Sequence, residues 1–274
     1  IHMMRLNYIL ILFFSSMVLY SCSFQGIVSN NIEPSFQNGK EIKKNTYVPK
    51  IYYLGLGLWG NGEDWSENDV IVLENIFKKI YYNREFHSYI FSNKGLQTKA
   101  KLPFFSEKKL EFLIKNIGES VTEKDIIILT ISSHGFPGGI NYRIGISPSM
   151  SLTGDKIEEI IKPIQEKNIL FIISSCYSGS LIKYLEGKYS IIFTASSANK
   201  PSFGCDKESS NSWFIESLYE SYHNYQNTEK RFSLKRWFNK TKSIVKNKEA
   251  SYGYPHSFPQ IFIGKNVNPF VFLL

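Results

Sequence analysis

Residues 126–135 read IIILTISSHG and residues 169–179 read ILFIISSCYSG. Each is an apolar, β-branched run that passes into small polar residues and then into a reactive side chain, His134 in the first and Cys176 in the second. A run that is apolar at nearly every position belongs to a strand covered on both faces, as in a parallel sheet. Working outward, the spacing predicts further strands at Lys50–Leu58, Phe86–Phe91, Tyr189–Ala195 and Gln260–Ile263, beside Ile126–Ser132 and Ile169–Ser175. Between them the periodicity predicts helices over Asp69–Tyr82, Ser106–Ile117, Gly154–Gln165, Ser178–Glu186 and Ser212–Tyr222. Strand–helix alternation of this kind implies an α/β domain of about six mostly parallel strands with helices on both faces. Sites in such sheets form at the carboxyl ends of strands. Both His134 and Cys176 fall there.

That pairing is what thiol catalysis requires. The thiolate is the nucleophile, and a neighbouring imidazole takes its proton and later returns it to a leaving amine. Cys176 stands where a helix is expected to begin, and the partial positive charge there favours a thiolate. Gly135 leaves a backbone N–H free to approach an oxyanion, and with the N–H of Cys176 it would form an oxyanion hole. Taken singly, a strand-end histidine is an ordinary turn residue and a buried cysteine a small hydrophobe. Two apolar strands ending in these two residues form a more specific pattern. The other histidines compete weakly: His87 stands by a strand start, His223 in a helix tail and His256 in a Pro-containing loop.

The chain has 274 residues, enough for one large core, and carries a formal charge of +8 from 32 Lys and Arg against 24 Asp and Glu. The excess is local. Eight cations and no acid lie between Lys230 and Lys248, and the remaining 24 cations match the 24 acids. Leu234, Trp237, Phe238, Thr241, Ile244 and Val245 fall at helical spacing there, so the segment reads as a helix with a solvated cationic side. No nucleic-acid motif accompanies it, and no nucleic-acid partner is expected. Neither a cofactor nor a metal is expected.

At the other end, Arg5 precedes an apolar stretch from Tyr8 to Tyr20 that is too short to span a bilayer and fits a signal-peptide core. It closes on Leu19-Tyr20-Ser21-Cys22, which resembles the lipobox of bacterial lipoproteins. The expected organisation is a signal segment over 1–24, a polar tether over 25–47 and a folded domain over 48–274. Lipidation of Cys22 would anchor the protein to a membrane, facing the periplasm or the cell exterior.

The ordered motifs resemble those of the legumain-like cysteine peptidases of the caspase–hemoglobinase clan. They are Ser-His-Gly at 133–135, Ser-Cys-Tyr-Ser-Gly at 175–179, Thr-Ala-Ser at 194–196, Ser-Phe-Gly-Cys at 202–205 and Phe-Pro-Gln-Ile-Phe-Ile-Gly at 258–264. With the first strand, the resemblance covers roughly residues 48–265. It implies a caspase-like three-layer sandwich and a cysteine endopeptidase acting on protein or peptide substrates. His134 would be the general acid/base, Cys176 the nucleophile, and Gly135 with Cys176 the oxyanion hole. Cys205 would wall the specificity pocket, although by residue type alone a Cys176–Cys205 bridge is conceivable in an oxidising compartment. Two other functions use the same fold: a catalytically silent surface lipoprotein acting as a binding module, and a transamidase.

Some pocket positions depart from the legumains. Where those carry Arg-His in the first loop, this chain has Gly62-Glu63-Asp64-Trp65-Ser66. Their Glu two residues before the nucleophile is Ser174 here, and their Asp beyond the loop cysteine corresponds to Glu208. Ser174, Ser202, Asp206, Glu208, Glu63 and Asp64 are therefore the expected substrate-binding residues. If two of the four carboxylates face the pocket, its field is negative and favours Arg or Lys before the scissile bond.

Overall fold

A computed structural model describes residues 47–272 apart from 61, 95–97, 99–101 and 229–231. The expected signal segment, most of the expected tether, and Cys22 lie outside the described residues. In chain order the elements begin with β1 (Lys50–Gly57), α1 (Trp65–Ile80), β2 (Glu85–Ser92), β3 (Leu102–Pro103) and α2 (Glu107–Ser120). Next come β4 (Ile126–Ser132), β5 (Gly135–Phe136), β6 (Gly139–Tyr142), β7 (Met150–Thr153), α3 (Gly154–Ile161) and β8 (Ile169–Ser174). The chain continues through α4 (Ile182–Leu185), β9 (Ser190–Thr194), α5 (Trp213–Thr228), α6 (Leu234–Ser251), β10 (Gln260–Ile263) and α7 (Pro269–Phe272).

The main sheet has the order β10-β9-β8-β4-β1-β2-β3. All its pairs are parallel except β10 with β9. Six strands of four to eight residues match the expected number, and the two-residue β3 adds an edge. Alternation along each strand divides the core into two layers. Ile126 and Ile128 of β4, with Leu170 and Ile172 of β8, pack among Leu73 and Phe77 of α1, Phe214 and Leu218 of α5, and Trp237 of α6. Ile127, Leu129 and Ile131, with Phe171 and Ile173, pack among Ile114 of α2, Ile157 of α3 and Leu185 of α4. This is the caspase-like α/β sandwich, with β4 and β8 central and covered on both sides.

Three regions differ from the sequence reading, the third being the segment after Cys176, taken up with the site. α1 begins at Trp65, a turn before Asp69, because Trp65, Ser66, Glu67 and Asp69 are buried towards the sheet end although three of them are polar. A small antiparallel sheet, β5-β6-β7, follows His134. Its first hairpin turns on Pro137-Gly138, with Gly138 at φ 84°, the geometry a Pro-Gly turn supplies. The basic segment forms α6, whose Leu234, Trp237, Phe238, Thr241 and Val245 are buried while Lys235, Arg236, Lys242 and Lys246 are exposed. Among the described residues no helix is long and apolar enough to cross a membrane.

Candidate active site

β4 and β8 are parallel neighbours in a register that sets Ser132 opposite Ser174, and the Ser133 N–H donates to the Ser174 carbonyl at 3.1 Å. His134 and Cys176 each follow two residues later, so the register delivers both to the same place on the sheet edge. The loops that carry them touch directly. A side chain on Gly135 would collide with the Cys176 carbonyl oxygen and stand 2.8 Å from Ser175 Oγ. The Asn141 N–H donates to the His134 carbonyl at 2.9 Å. In an antiparallel pair that leaves Gly135 in a non-hydrogen-bonded position, its N–H directed away from β6.

His134 is held by aromatic edges. The Trp59 ring lies 4.4 Å away at 86°, and the Trp65 ring 5.4 Å away at 74°. Burial against them pushes the imidazole below its usual value, and the nearby Glu63 carboxylate opposes that shift. Glu63 is in turn fixed by the Trp65 indole N–H, which donates to it at 2.9 Å. Cys176 is half-buried, with Ser202 as its partner. The Ser202 N–H donates to Sγ at 3.3 Å and the thiol donates to the Ser202 carbonyl at 3.4 Å. The helix expected directly after Cys176 is not continuous. Tyr177 adopts a left-handed conformation, φ 58°, its N–H bonds the Lys200 carbonyl, and a 3-10 turn at Ser178–Leu181 precedes the four-residue α4. Polar support for the sulfur therefore comes from Ser202 across the site rather than from a helix end beneath it. Such N–H···S contacts strengthen when the acceptor is charged.

The remaining expected residues separate into two groups. Ser202 stands against Cys176, whereas Ser174 is buried two residues before it with its hydroxyl turned to Ser212. Ser174 Oγ bonds Ser212 Oγ at 2.7 Å, and Ser202 bonds Cys176 as described. Of the carboxylates, Glu63 faces the histidine, whereas Asp64 pairs with Lys94 at 2.8 Å. Asp206 accepts from the Glu208 N–H at 3.0 Å and Ser209 Oγ at 2.8 Å, and both Asp206 and Glu208 are exposed. Cys205 is a free thiol, as is Cys176, and burial pushes it up to about 12. It stays protonated at any working pH. His87 lies within β2, stacked 5.1 Å from Tyr52, and His256 bonds the buried Glu249 at 2.5 Å. Neither histidine belongs to this site.

Sequence reasoning missed Trp59, Trp65, Asp69 and Ser212. Asp69 is fully buried beneath the site and accepts four hydrogen bonds, from Ser132 Oγ and Ser212 Oγ at 2.6 Å and from Asn211 Nδ2 and the Ser212 N–H at 3.0 Å. The available signal was an acid amid the apolar pattern of a helix. Among the described residues no group of three or more His, Cys, Asp or Glu could hold a metal ion.

A caspase-like sandwich with a histidine and a cysteine at adjacent strand ends defines a class, the cysteine peptidases of the caspase–hemoglobinase clan. Within it, residues 112–269 match the peptidase C13 family, the legumain family. The match takes in more than half of the chain, including His134 and Cys176, and the chain belongs to this family. Its function is of the cysteine-peptidase type, with protein or peptide substrates. No curated protein matches the chain.

Proposed function

We propose that the protein is a cysteine endopeptidase working through His134 and Cys176. The single observation behind this reading is the register of β4 and β8, which brings the two residues to one point of the sheet edge. In the first step the Cys176 thiol passes its proton to the His134 imidazole, and Sγ attacks the scissile carbonyl carbon. The N–H groups of Gly135 and Cys176 stabilise the oxyanion. As the intermediate collapses, the C–N bond breaks and the amine leaves with the proton from the imidazolium. A thioester remains on Cys176. Water, deprotonated by His134, then attacks the thioester, releasing the acid and restoring the thiol.

The test is covalent. An acyloxymethyl-ketone peptide should label Cys176 stoichiometrically, leave Cys205 unmodified, and fail to label Cys176→Ala. Peptide cleavage that persists in Cys176→Ala would end this reading. The Ser21-Cys22 junction after an apolar signal core supports a further part of the proposal: the protein is lipidated at Cys22 and held on a membrane facing the periplasm or the cell exterior.

A further inference from the structure

The reaction as written uses no residue of α1, yet α1 sends a carboxylate beneath the two strand ends. Asp69 Oδ2 accepts from Ser132 Oγ on β4 and from Ser212 Oγ, both at 2.6 Å. Ser212 has a single hydroxyl proton and gives it to Asp69, so in the 2.7 Å contact between Ser174 and Ser212 the Ser174 hydroxyl is the donor. One carboxylate thus braces β4 through Ser132, and β8 through Ser212 and Ser174. Oδ1 takes Asn211 Nδ2 and the Ser212 N–H, which ties in the start of α5. Ser132 lies two residues before His134 and Ser174 two residues before Cys176. Ser132 comes within reach of Asp69, and Ser174 within reach of Ser212, because strand alternation turns both towards the α1 and α5 layer.

We propose that Asp69 is the positioning residue of the pair, fixing the spacing of His134 and Cys176 by clamping the strand ends that carry them. The inference rests on the His134–Cys176 reading. Ionised, Asp69 satisfies four donors at once. An asparagine in its place must turn its NH2 group either to the Ser132 and Ser212 hydroxyls or to Asn211 Nδ2 and the Ser212 N–H. In either orientation donors lose their acceptor and the strand end tied to them is loosened. The freed strand end then shifts, and displacements of about 1 Å in a reacting pair cost rate steeply.

Asp69→Asn, Ser132→Ala and the double variant test this with a fluorogenic peptide substrate, the acyloxymethyl-ketone label and thermal melting. Asp69→Asn should lower kcat about ten-fold, with KM changed less than about two-fold, and should slow Cys176 labelling in proportion. Ser132→Ala should lower kcat in the same manner. The double variant should be no slower than Asp69→Asn, because the contribution of Ser132 runs through Asp69. Wild-type kcat in Asp69→Asn, a change confined to KM, or effects that multiply in the double variant would each overturn the proposal. If Asp69→Asn does not fold, Ser132→Ala decides alone, and an unchanged kcat there overturns it. A wild-type protein whose Cys176 resists the label marks a different failure, that of the underlying His134–Cys176 reading, and takes this inference with it.

Discussion

At the scale of single residues, the site combines groups whose environments push them in opposite directions. His134 lies below its ordinary value of about 6.5 because burial penalises the imidazolium, with Glu63 pulling it back. In the proposed reaction a neutral imidazole accepts the thiol proton, so activity should be lost as pH falls through the His134 value. The acid limb of kcat/KM should therefore lie below about 6.5, and Glu63→Gln should move it lower still. A limb near 7, or an upward move in Glu63→Gln, would contradict this account of the histidine. Asp69 is displaced the other way, to about 6, by burial that outweighs its four hydrogen bonds. An acid raised on folding contributes stability below its unfolded value, near 4, and that contribution is lost as pH rises through about 6. Between pH below about 4 and pH above about 6 the fold thus loses stability on the order of 3 kcal/mol through this group. A fold that keeps such a group beneath two strand ends trades stability for geometry there, as sites commonly do.

At the scale of elements, the first turn of α1 organises the sheet edge. Trp65 packs on His134, and Ser66 Oγ donates to the Trp59 carbonyl at 2.9 Å while accepting the Trp59 N–H at 3.2 Å. Glu67 accepts from Ser92 Oγ at 2.5 Å and Thr98 Oγ1 at 2.8 Å, and Asp69 braces β4 and β8. α6 is organised by a different rule, an apolar face that seals the core and a cationic face that meets solvent. Trp237 is fully buried, and its indole N–H donates to the Leu218 carbonyl at 2.9 Å. Trp237→Ala should cost about 3–5 kcal/mol, lowering Tm by roughly 6–20 °C in a domain of this size. Replacing Lys235, Lys242 and Lys246 by Gln should change stability by no more than about 0.5 kcal/mol per site. Thermal melting checks both, and a large loss in the Gln variant would mean that the cations do more than solvate one side. This difference between faces was legible in the sequence, because Leu234, Trp237, Phe238, Thr241 and Val245 repeat at helical spacing. The first turn of α1 was not. Its inward side chains are mostly polar, and periodicity in apolar residues cannot detect a polar face turned towards a site. The β5–β6 hairpin was missed for another reason: Gly135-Phe136 and Gly139-Ile140-Asn141-Tyr142 form no apolar run, although Pro137-Gly138 marked the turn.

At the scale of the molecule, the chain enters the sheet at the edge opposite the site. Tyr47 Oη donates to Asp125 Oδ2 at 2.5 Å and the Lys50 N–H donates to Asp125 Oδ1 at 2.6 Å, just ahead of β4. Thr122 adds its N–H and hydroxyl to the same carboxylate at 2.8 and 2.9 Å. β1 runs parallel to β4, so this clasp sits at the amino end of both strands, while His134 and Cys176 follow the carboxyl ends of β4 and β8. Seven residues of β4 at about 3.3 Å each separate the two by roughly 20 Å. The strand order that makes this so was only partly legible. The apolar runs of β4 and β8 announced central strands, but nothing in them set β1 between β4 and β2. The consequence is a separation along the strand axis, with residues 47–50 clasped at one edge and the His134–Cys176 pair at the other. Removing residues 1–46 should therefore leave kcat/KM unchanged and shift Tm by no more than about 2 °C, because the clasp on Asp125 stays intact. The same truncation should move the protein from the membrane fraction to the soluble fraction, since it removes Cys22 and any lipid carried there. Activity lost on truncation would mean that the amino-terminal segment reaches the site. A 274-residue chain that is soluble, with an unmodified N-terminus by mass spectrometry, would refute the anchor while leaving the peptidase reading untouched.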